Sequence, residues 1–307
     1  MTRSLRVLVA LVLALGAAAS YATGGNEARG ATSPLPRTGF EIRNGSSWTT
    51  LTEELTYLKA LEARFPTRVR RLVVGTSGQG RAVRLMIVGP GAAQTPAEIA
   101  AQHTPLVVCG QHGNEPAGRE ACLTRIRGHA DSASNDTLLV MPTVNPDGRA
   151  ANTRNNGQGL DINRDHCTGS ACFRTPEARA VRDVMARYDP ELVTDHHEYA
   201  DAGARDVKLN QVGVYRHGSP EVRALSTAAN QAARRSILAS TTVGGTPFTV
   251  GDYVQEANSY ELGLRDWAMS HDAAFVLFET PRLGRLSALS RVKAHRVGMT
   301  GALSVPR

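Results

Sequence analysis

The feature that most limits the fold of this chain is the alternation of apolar, strand-like runs with amphipathic, helix-like segments beyond residue 104. The predicted strands are 105–109, 137–144, 191–197, 211–215 and 273–278, and the predicted helices are 115–128, 175–188, 219–239 and 284–303. Such alternation is typical of a mixed sheet with helices on both faces. Because no repeat or interior linker interrupts it, we expect a single-domain α/β fold with a mostly parallel central sheet.

Two further elements precede this alternation. The segment "TLTE" has the form of a capping box, and the apolar residues after it recur at helical spacing, which predicts a helix from near Thr50 to Pro66. The stretches "VRRLVVG" and "RAVRLMIVG" alternate like strands on either side of "TSGQG". They predict an antiparallel hairpin at one edge of the sheet.

The N-terminus has the layout of a secretory signal peptide over residues 1–22. Arg3 and Arg6 accompany an apolar core from Leu5 to Ala18, and small residues follow, with cleavage expected after Ala19 or Ala22. That core is shorter than the ~20 residues that span a bilayer, which favours cleavage over a membrane anchor. We therefore expect an exported protein, periplasmic or secreted, without stable membrane insertion.

The residues after the signal peptide divide into an irregular mature N-terminus over 23–46, rich in small and polar residues, and a folded domain over 47–307. The net charge of +7 is scattered, and no basic block is interleaved with aromatic residues. This pattern favours a solvated basic surface over nucleic-acid binding. We expect a monomer without a nucleic-acid partner.

Export makes the four cysteines candidates for disulfide bonds. Cys167 and Cys172 enclose the short loop "TGSA", and a bond between them would close it. For Cys109 and Cys122 the sequence leaves two alternatives open, a disulfide or two buried thiols.

Candidate metal ligands follow two of the predicted strands. In "CGQHGNEPAG", His112 and Glu115 lie three residues apart in a glycine-rich turn, and "ELVTDHHEYAD" places His196 and His197 at the end of another strand. Imidazole and carboxylate are good zinc ligands, and a catalytic zinc site needs three protein ligands with an open position for water. Because side chains alternate along a strand, only one of the two adjacent histidines can face the metal.

Two further segments carry reactive polar residues. The run "NPDGRAANTRNNGQGLDINRDH", residues 145–166, reads as a loop rich in arginine, which suits a carboxylate or an oxyanion. The apolar strand "AAFVLFETPR" ends in Glu279. Burying a carboxylate at the end of a strand is costly unless it has a hydrogen-bonding partner or a functional role. Acting as a general base beside a metal-bound water would be such a role.

The motifs "HGNE", "NPDG", "DINRD", "DHHE" and "FE" occur in an order that resembles the zinc carboxypeptidase family, known best from the pancreatic carboxypeptidases A and B. The resemblance runs from about Trp48 to the C-terminus. Five motifs in family order are highly specific, although no single one is decisive. The resemblance implies a zinc carboxypeptidase-like catalytic domain over residues 47–307, with one Zn²⁺ per chain and a peptide substrate that has a free C-terminus.

The resemblance also implies a metal site made of particular residues. It makes His112, Glu115 and one histidine of "DHHE" the zinc ligands, and the family's frequent Asp-x-His pattern selects His197 over His196. Asp161 matches the carboxylate that orients the first zinc histidine.

The remaining catalytic roles follow from the same resemblance. Arg154 matches the arginine that polarises the scissile carbonyl, and Glu279 matches the general base. Asn163 and Arg164 match the pair that binds the substrate's terminal carboxylate. Together these residues imply hydrolysis of the amide bond next to a free C-terminal carboxylate.

The sequence departs from the family pattern at the rim of the site. For the substrate-capping tyrosine, Tyr253 is preferred to Tyr260, although neither spacing matches cleanly. Arg265 falls near the base of the family's side-chain pocket; there it would favour an acidic C-terminal residue, and otherwise it is a surface arginine. Export suggests, by analogy with bacterial relatives, that peptidoglycan peptides are candidate substrates.

Two alternative functions remain. An N-acyl amino acid deacylase of the aspartoacylase or succinylglutamate desuccinylase type would share the zinc triad, but "NPDG…DINRD" favours peptide C-termini. An inactive peptide-binding relative would keep the fold, but the complete set of ligand types and Glu279 argue against it. A structural zinc is disfavoured because such sites are closed and rich in cysteine.

Overall fold

A computed structural model of the protein describes residues 34–102, 104–167, 172–211, 215, 217–253 and 262–306. The predicted signal peptide and residues 23–33 of the predicted mature N-terminus lie outside these described residues. Residues Leu35–Arg307 form one compact unit. No helix in the described ranges has both the length and the apolar character that crossing a membrane requires.

The secondary structure alternates as the sequence predicts. The helices are α1 (Gly39–Ile42), α2 (Leu51–Arg64), α3 (Pro96–Ala100), α4 (Pro116–Asp131), α5 (Pro146–Ala151), α6 (Pro176–Tyr188), α7 (Pro220–Leu238), α8 (Leu264–Ser270) and α9 (Ala288–Leu303). The strands are β1 (Val69–Thr76), β2 (Ala82–Val88), β3 (Leu106–Cys109), β4 (Leu138–Met141), β5 (Leu192–Tyr199), β6 (Val207–Asn210), β7 (Val250–Tyr253) and β8 (Ala274–Pro281). Short 3₁₀ turns occupy Pro90–Ala93 and Ile162–Arg164.

The described strands form one mixed sheet in the order β1-β2-β4-β3-β5-β8-β6-β7. Strands β4, β3, β5 and β8 run parallel to their neighbours within this central group, and β6 is parallel to β7. The hairpin β1–β2 is antiparallel and joins the group through β4, as the sequence predicts, and β6 is antiparallel to β8. Helices flank the sheet, with α9 against both α4 and α7, and α6 against β1 and α3. The predicted α/β class and mixed sheet are confirmed.

The central strands are fully buried, which explains their composition. Every residue of β3, β4 and β8 is buried, as are the first seven residues of β5. Continuous apolar runs are the pattern that strands covered on both faces require. Within these central strands, charged residues and histidines occur from the middle of β5 onwards and near the end of β8. Buried polar side chains are therefore concentrated at the carboxyl edge of the sheet.

Helix starts follow simple sequence signals. The predicted capping box of α2 is present, because Thr50 accepts the backbone N–H of Glu53 and the Glu53 side chain accepts that of Thr50. Helices α3 to α7 each begin with proline at one of their first positions, where its missing N–H leaves no hydrogen bond broken.

The predicted strand 211–215 lies mostly outside the described residues, and the described strand that precedes it is β6, where Val207 and Leu209 are buried and alternate with Lys208. Two other predictions about local structure need correction. The predicted irregular segment 23–46 contains α1, which has a capping box of its own and a buried Phe40. Part of the predicted loop 145–166 is α5, because Asn145 accepts the N–H of Gly148 and starts a helical turn.

Both candidate disulfides are present. Cys167 and Cys172 are bonded, with their Cα atoms 5.2 Å apart. Cys109 and Cys122 are also bonded, with Cα atoms 6.7 Å apart, which resolves the alternative that the sequence left open. The second bond joins the end of β3 to the middle of α4 and therefore closes the loop that carries His112 and Glu115.

Candidate active site

The site lies where β3, β5 and β8 end at the same edge of the sheet. His112 follows β3 by three residues, and His197 in β5 pairs directly with Glu279 in β8. Parallel neighbouring strands bring their carboxyl ends together, which is where ligands bind in sheets of this kind. A cavity of about 300 Å³ opens over this edge.

Three potential metal ligands converge on one point of the cavity wall. The Nδ1 atom of His112 is 2.9 Å from Oε2 of Glu115 and 2.9 Å from Nδ1 of His197. The same glutamate oxygen is 3.0 Å from Nδ1 of His197. Within the described part of the chain, these residues form the one group of three that could hold a metal ion.

Each of the two histidines has a carboxylate behind it. The Nε2 atom of His112 is 3.0 Å from Oδ1 of Asp161, and that of His197 is 2.9 Å from Oδ2 of Asp195. A carboxylate accepts a hydrogen bond from the ring nitrogen that it faces, which assigns the N–H of each neutral ring to Nε2. The Nδ1 lone pairs of both rings are consequently directed towards Glu115.

This arrangement fits a divalent cation. Two imidazole lone pairs and a carboxylate oxygen lie within 3.0 Å of one another, which is repulsive unless positive charge lies between them. A guanidinium N–H of Arg154 reaches His112 Nδ1 and Glu115 Oε1 and offsets part of this repulsion. Two imidazoles, one carboxylate and an open position describe a catalytic zinc site, in which outer carboxylates orient the histidines.

The protonation equilibria of the site also favour a cation. Burial acts to raise the pKa of Glu115, but His112 and His197 outweigh this effect and hold the pKa well below its usual range. Burial acts to lower the pKa of His197, but Asp195 and Glu115 raise it well above its usual value. The buried carboxylates thus make this corner of the cavity strongly attractive to positive charge.

Glu279 has the environment of a proton acceptor. The residue is 7% exposed and lines the cavity, and its Oε2 atom has no hydrogen-bond partner among the described residues. Burial raises the pKa of Glu279 to about 8, although His197 opposes the shift. A buried carboxylate with one oxygen free of protein partners can accept a proton from water next to the metal site.

Arg154 links the candidate metal ligands to the loop that follows α5. Its guanidinium contacts Oδ2 of Asp161 at 3.0 Å and Oε1 of Glu115 at 3.1 Å, and its side chain is 44% exposed. The Asn145 side chain fixes this loop, because its amide donates to the backbone oxygens of Gln111 and Arg154. Arg154 is therefore placed at the cavity mouth, beside the metal ligands.

The predicted substrate-binding residues line the same cavity. Asn163, Arg164 and Tyr253 all border it, and Nδ2 of Asn163 is 3.2 Å from Nε2 of His197. Arg265 also lines the cavity, close to Phe275 and Leu277 of β8, and is only 7% exposed. The alternative interpretation of Arg265 as a surface residue is therefore wrong, whereas Tyr260 lies outside the described residues.

His196 points away from the candidate metal ligands. Its ring stacks on Phe278 at 4.5 Å, and its Nδ1 atom is 3.1 Å from Nδ1 of His295. Burial lowers the pKa of His196 well below its usual value, so this histidine is neutral. The alternation of side chains along β5 places His197, and not His196, on the cavity side.

Sequence reasoning assigned no role to two residues that contact this site. Asp195 orients His197, and Gln111 donates to Asp195 at 2.7 Å while accepting from the ring of His166 at 2.8 Å. The spacing of two between Asp195 and His197 was a usable signal, because residues two apart share one face of a strand. Gln111 had no such signal, since its partners are distant in sequence.

Comparisons with known proteins identify the family of the chain. A family model described as zinc carboxypeptidase matches residues 54–285, which is most of the chain. A probable carboxypeptidase 2 of Trichophyton verrucosum is 33% identical over 100 residues, or 29% of this chain. The matched segment spans only 18% of that relative's length.

Solved structures share the fold. The chain is similar to a carboxypeptidase A from Helicoverpa armigera, with a TM-score of 0.65 and 18% identity over 90% of this chain and 77% of that one. It is also similar to a metallo-carboxypeptidase from Pseudomonas aeruginosa, with a TM-score of 0.60 and 22% identity over 81% of this chain and 68% of that one. Because the family match extends over most of the described sheet and includes the residues of the candidate metal site, the chain belongs to the zinc carboxypeptidase family.

Proposed function

We propose that the protein is a zinc-dependent metallocarboxypeptidase that binds one Zn²⁺ per chain and hydrolyses the amide bond next to a free C-terminal carboxylate. The observation that carries this proposal is the direct pairing of His197 with Glu279 across β5 and β8. It sets a carboxylate with an unpartnered oxygen beside the group of His112, Glu115 and His197. Membership of the family supports the same activity.

His112, Glu115 and His197 would hold the zinc, with Asp161 and Asp195 orienting the two rings. When bound, the metal supplies a Lewis acid and lowers the pKa of a water molecule towards ~7. Glu279 accepts the proton of the attacking water and later delivers it to the leaving amine. Arg154, at the mouth of the cavity, donates hydrogen bonds to the carbonyl oxygen as negative charge develops on it.

The substrate's terminal carboxylate would bind to Asn163 and Arg164. Guanidinium and amide groups provide paired donors that match the geometry of a carboxylate. The Arg164 guanidinium donates to the backbone oxygen of Asn163 at 2.8 Å, which holds the Arg164 side chain close to Asn163. Tyr253 at the end of β7 is half-buried in the same cavity and would cover the bound residue.

Arg265 suggests which C-terminal side chain is preferred. Its guanidinium lines the cavity beside the apolar Phe275 and Leu277, and it forms an ion pair with Asp266 at 3.2 Å. A buried guanidinium in the wall of a partly apolar pocket favours a carboxylate over a neutral side chain. We therefore propose a preference for acidic C-terminal residues.

The proposed compartment is extracytoplasmic. Two disulfides are present among the described residues, and such bonds persist in oxidising compartments. Together with the predicted signal peptide, they support export to the periplasm or the medium. Peptidoglycan peptides are then candidate natural substrates, because an exported carboxypeptidase would have access to them.

The activity can be tested with Glu279→Gln. This variant keeps the shape of the side chain but cannot accept the proton, so we expect the release of C-terminal residues from a peptide mixture to fall at least ~10²-fold, the lower limit of general-base contributions. Zinc content, measured by atomic spectroscopy, should stay at one per chain. Glu221→Gln, an exposed change in α7, is the matched control and should leave both quantities unchanged.

The same assay distinguishes the alternatives. An acidic preference predicts that peptides ending in Glu or Asp are cleaved faster than those ending in Leu, and that Arg265→Met reverses the order. Hydrolysis of N-acyl amino acids without cleavage of blocked dipeptides would instead identify a deacylase. An active Glu279→Gln protein would refute the assignment of the base.

A further inference from the structure

Glu198, the residue after His197, makes contacts that the proposed reaction does not use. Its side chain is fully buried. Oε2 accepts the backbone N–H of Ala117 at 2.8 Å, and Oε1 accepts hydrogen bonds from Arg291 and, at 3.4 Å, from Thr280. Both carboxylate oxygens are thus occupied by protein donors from three different elements.

These contacts connect the two segments that carry candidate zinc ligands. Ala117 lies in the first turn of α4, two residues after Glu115, and Glu198 lies one residue after His197 in β5. A second bond runs in the opposite direction, because the backbone N–H of Glu198 donates to Oε2 of Glu115 at 3.0 Å. The start of α4 and the end of β5 are therefore joined by two hydrogen bonds, one at Ala117 and one at Glu115 itself.

The third element is helix α9, which supplies the opposite charge. The Arg291 side chain is 10% exposed and lies over the ring of Trp48, with its guanidinium carbon 5.4 Å from the ring centroid. One turn later, His295 contacts His196 at 3.1 Å and Thr280 at 3.1 Å. Helix α9 thereby holds the same stretch of β5 from behind.

The position of these groups has a consequence for metal binding. A buried charge pair is rigid as long as both partners are present, and removal of one partner leaves an uncompensated charge that the structure relaxes to solvate. Here that relaxation would change the separation of Glu115 and His197, whose ligand atoms are 3.0 Å apart. Residues that position metal ligands typically change metal affinity by about 10–100-fold when they are altered.

We propose that Glu198 and Arg291 form a positioning pair that fixes the distance between Glu115 and His197, so that the zinc affinity of the protein depends on this buried ion pair. The proposal rests on the zinc site of the proposed function, but not on peptidase activity. Neither residue is a catalytic residue, since both act through the ligands that they hold in place.

The test is the zinc dissociation constant of metal-free full-length protein, measured by competition with a chromophoric chelator. Glu198→Gln and Arg291→Met keep the approximate volume of each side chain and remove the charge pair. We expect each change to raise the zinc Kd at least ~10-fold. Arg291→Lys, which retains the charge, should recover part of the loss. The zinc Kd of the double variant should not exceed that of the single variant that binds zinc more weakly, because the two residues act as one unit.

Glu54→Gln is the matched control. Glu54 is 2% exposed and pairs with the equally buried Arg119, whose Nη2 atom is 2.5 Å away, but this pair joins α2 to α4 without contacting β5. We expect Glu54→Gln to lower the melting temperature by an amount similar to that of Glu198→Gln, while the zinc Kd stays within threefold of the wild-type value. This difference separates positioning of the ligands from general loss of stability.

Several results would overturn the proposal. A zinc Kd within threefold of wild type in Glu198→Gln and Arg291→Met would do so, and so would an equal rise in Glu54→Gln. If Glu198→Gln does not fold, the comparison of Arg291→Met with Arg291→Lys decides the question by the same measurement. A wild-type protein that binds zinc but cleaves no peptide would refute the proposed function alone, whereas one that binds no zinc would refute both.

Discussion

At the scale of single residues, four of the buried histidines fall into two kinds according to what lies behind the ring. His112 and His197 have carboxylates on their Nε2 atoms, whereas His196 and His295 contact each other and hydroxyl groups. Burial lowers the pKa of His295 to about 3 and that of His196 well below its usual value. Only the first kind is equipped to direct a lone pair at a cation.

Asp195→Asn should therefore weaken zinc binding. The amide retains an acceptor for the Nε2–H group of His197 but loses the negative charge that makes the ring a better ligand, so we expect the zinc Kd to rise about 10–100-fold. Competition with a chelator measures the change. Asp183→Asn, an exposed change in α6, is the control and should have no effect. An unchanged Kd in Asp195→Asn would show that the charge behind His197 does not tune the site.

Glu279 should make the stability of the metal-free protein depend on pH. Its pKa rises from 4.5 to about 8 on folding because the carboxyl is buried, so the folded state binds its proton more tightly than the unfolded state does. The resulting stabilisation is complete below pH 4.5 and is lost as the pH rises through 8. Metal-free Glu279→Gln should not lose stability in this way, because its amide does not titrate.

Urea unfolding of both metal-free proteins checks this expectation. The stability of the variant relative to wild type should increase steadily between pH 5 and pH 8, because over this range the folded wild type keeps a proton that its unfolded state has released. A stability difference between the two proteins that stays constant over this range would contradict the raised pKa of Glu279. Zinc-saturated proteins should show a smaller trend, because a nearby cation favours the charged carboxylate.

At the scale of elements, the approach of α5 to the ligand-bearing loop depends on one glycine. A Cβ atom on Gly113 would lie 1.8 Å from the carbonyl carbon of Gly148 and 2.1 Å from the backbone nitrogen of Arg149. Backbone atoms cannot move aside cheaply, so Gly113→Ala has to separate α5 from the loop between His112 and Glu115.

We expect Gly113→Ala to lower the free energy of unfolding by about 3 kcal/mol or more, since overpacking against backbone lies at the upper end of such effects. Gly128→Ala is the control, because a Cβ there meets nothing within 4 Å and Gly128 lies inside α4. That change should stabilise the protein by about 0.5–1 kcal/mol. Chemical denaturation of both variants tests the contrast, and a neutral Gly113→Ala would show that α5 need not lie this close.

At the scale of the whole molecule, zinc should stabilise the fold, because its ligands come from segments that meet only when the central strands are paired. A ligand that binds the folded state alone contributes about 4 kcal/mol at a concentration 1,000 times its Kd. At roughly 2–4 °C per kcal/mol for a domain of comparable size, chelation should lower the melting temperature by about 8–16 °C.

Differential scanning calorimetry with and without a chelator measures this shift. His112→Ala, which lacks one ligand, should melt at nearly the same temperature in both conditions. A wild-type protein whose melting temperature does not respond to chelation would argue that the site binds zinc weakly or not at all.

Sequence patterns predicted most of the central architecture, and the exceptions have physical reasons. Long apolar runs identified β3, β5 and β8, because strands buried on both faces need such runs. The four-residue strand β7 includes Gly251 and has too little apolar character for a pattern to reveal it. The shared strand face of Asp195 and His197 could be predicted from the sequence, because the two residues lie two positions apart.

Contacts between distant segments could not be predicted in this way. Gln111 meets His166, and Glu198 meets Arg291, only because the sheet brings separate loops and helices together. Gly110, in the glycine-rich turn after β3, has a positive φ of 66°, which glycine adopts readily. Gly113 is needed for a different reason, the close approach of α5, which no local signal indicated.

The direct pairing of His197 with Glu279 also limits how the length of this chain can change during evolution. An extra residue within β8 ahead of Glu279 would place Phe278 across from His197 and turn the carboxylate to the opposite face of the sheet. The same insertion between α7 and β7, where the chain is largely exposed, would leave that pairing intact. Gains and losses of single residues should therefore accumulate in the connections around this cavity and be absent from the two strands that form its floor.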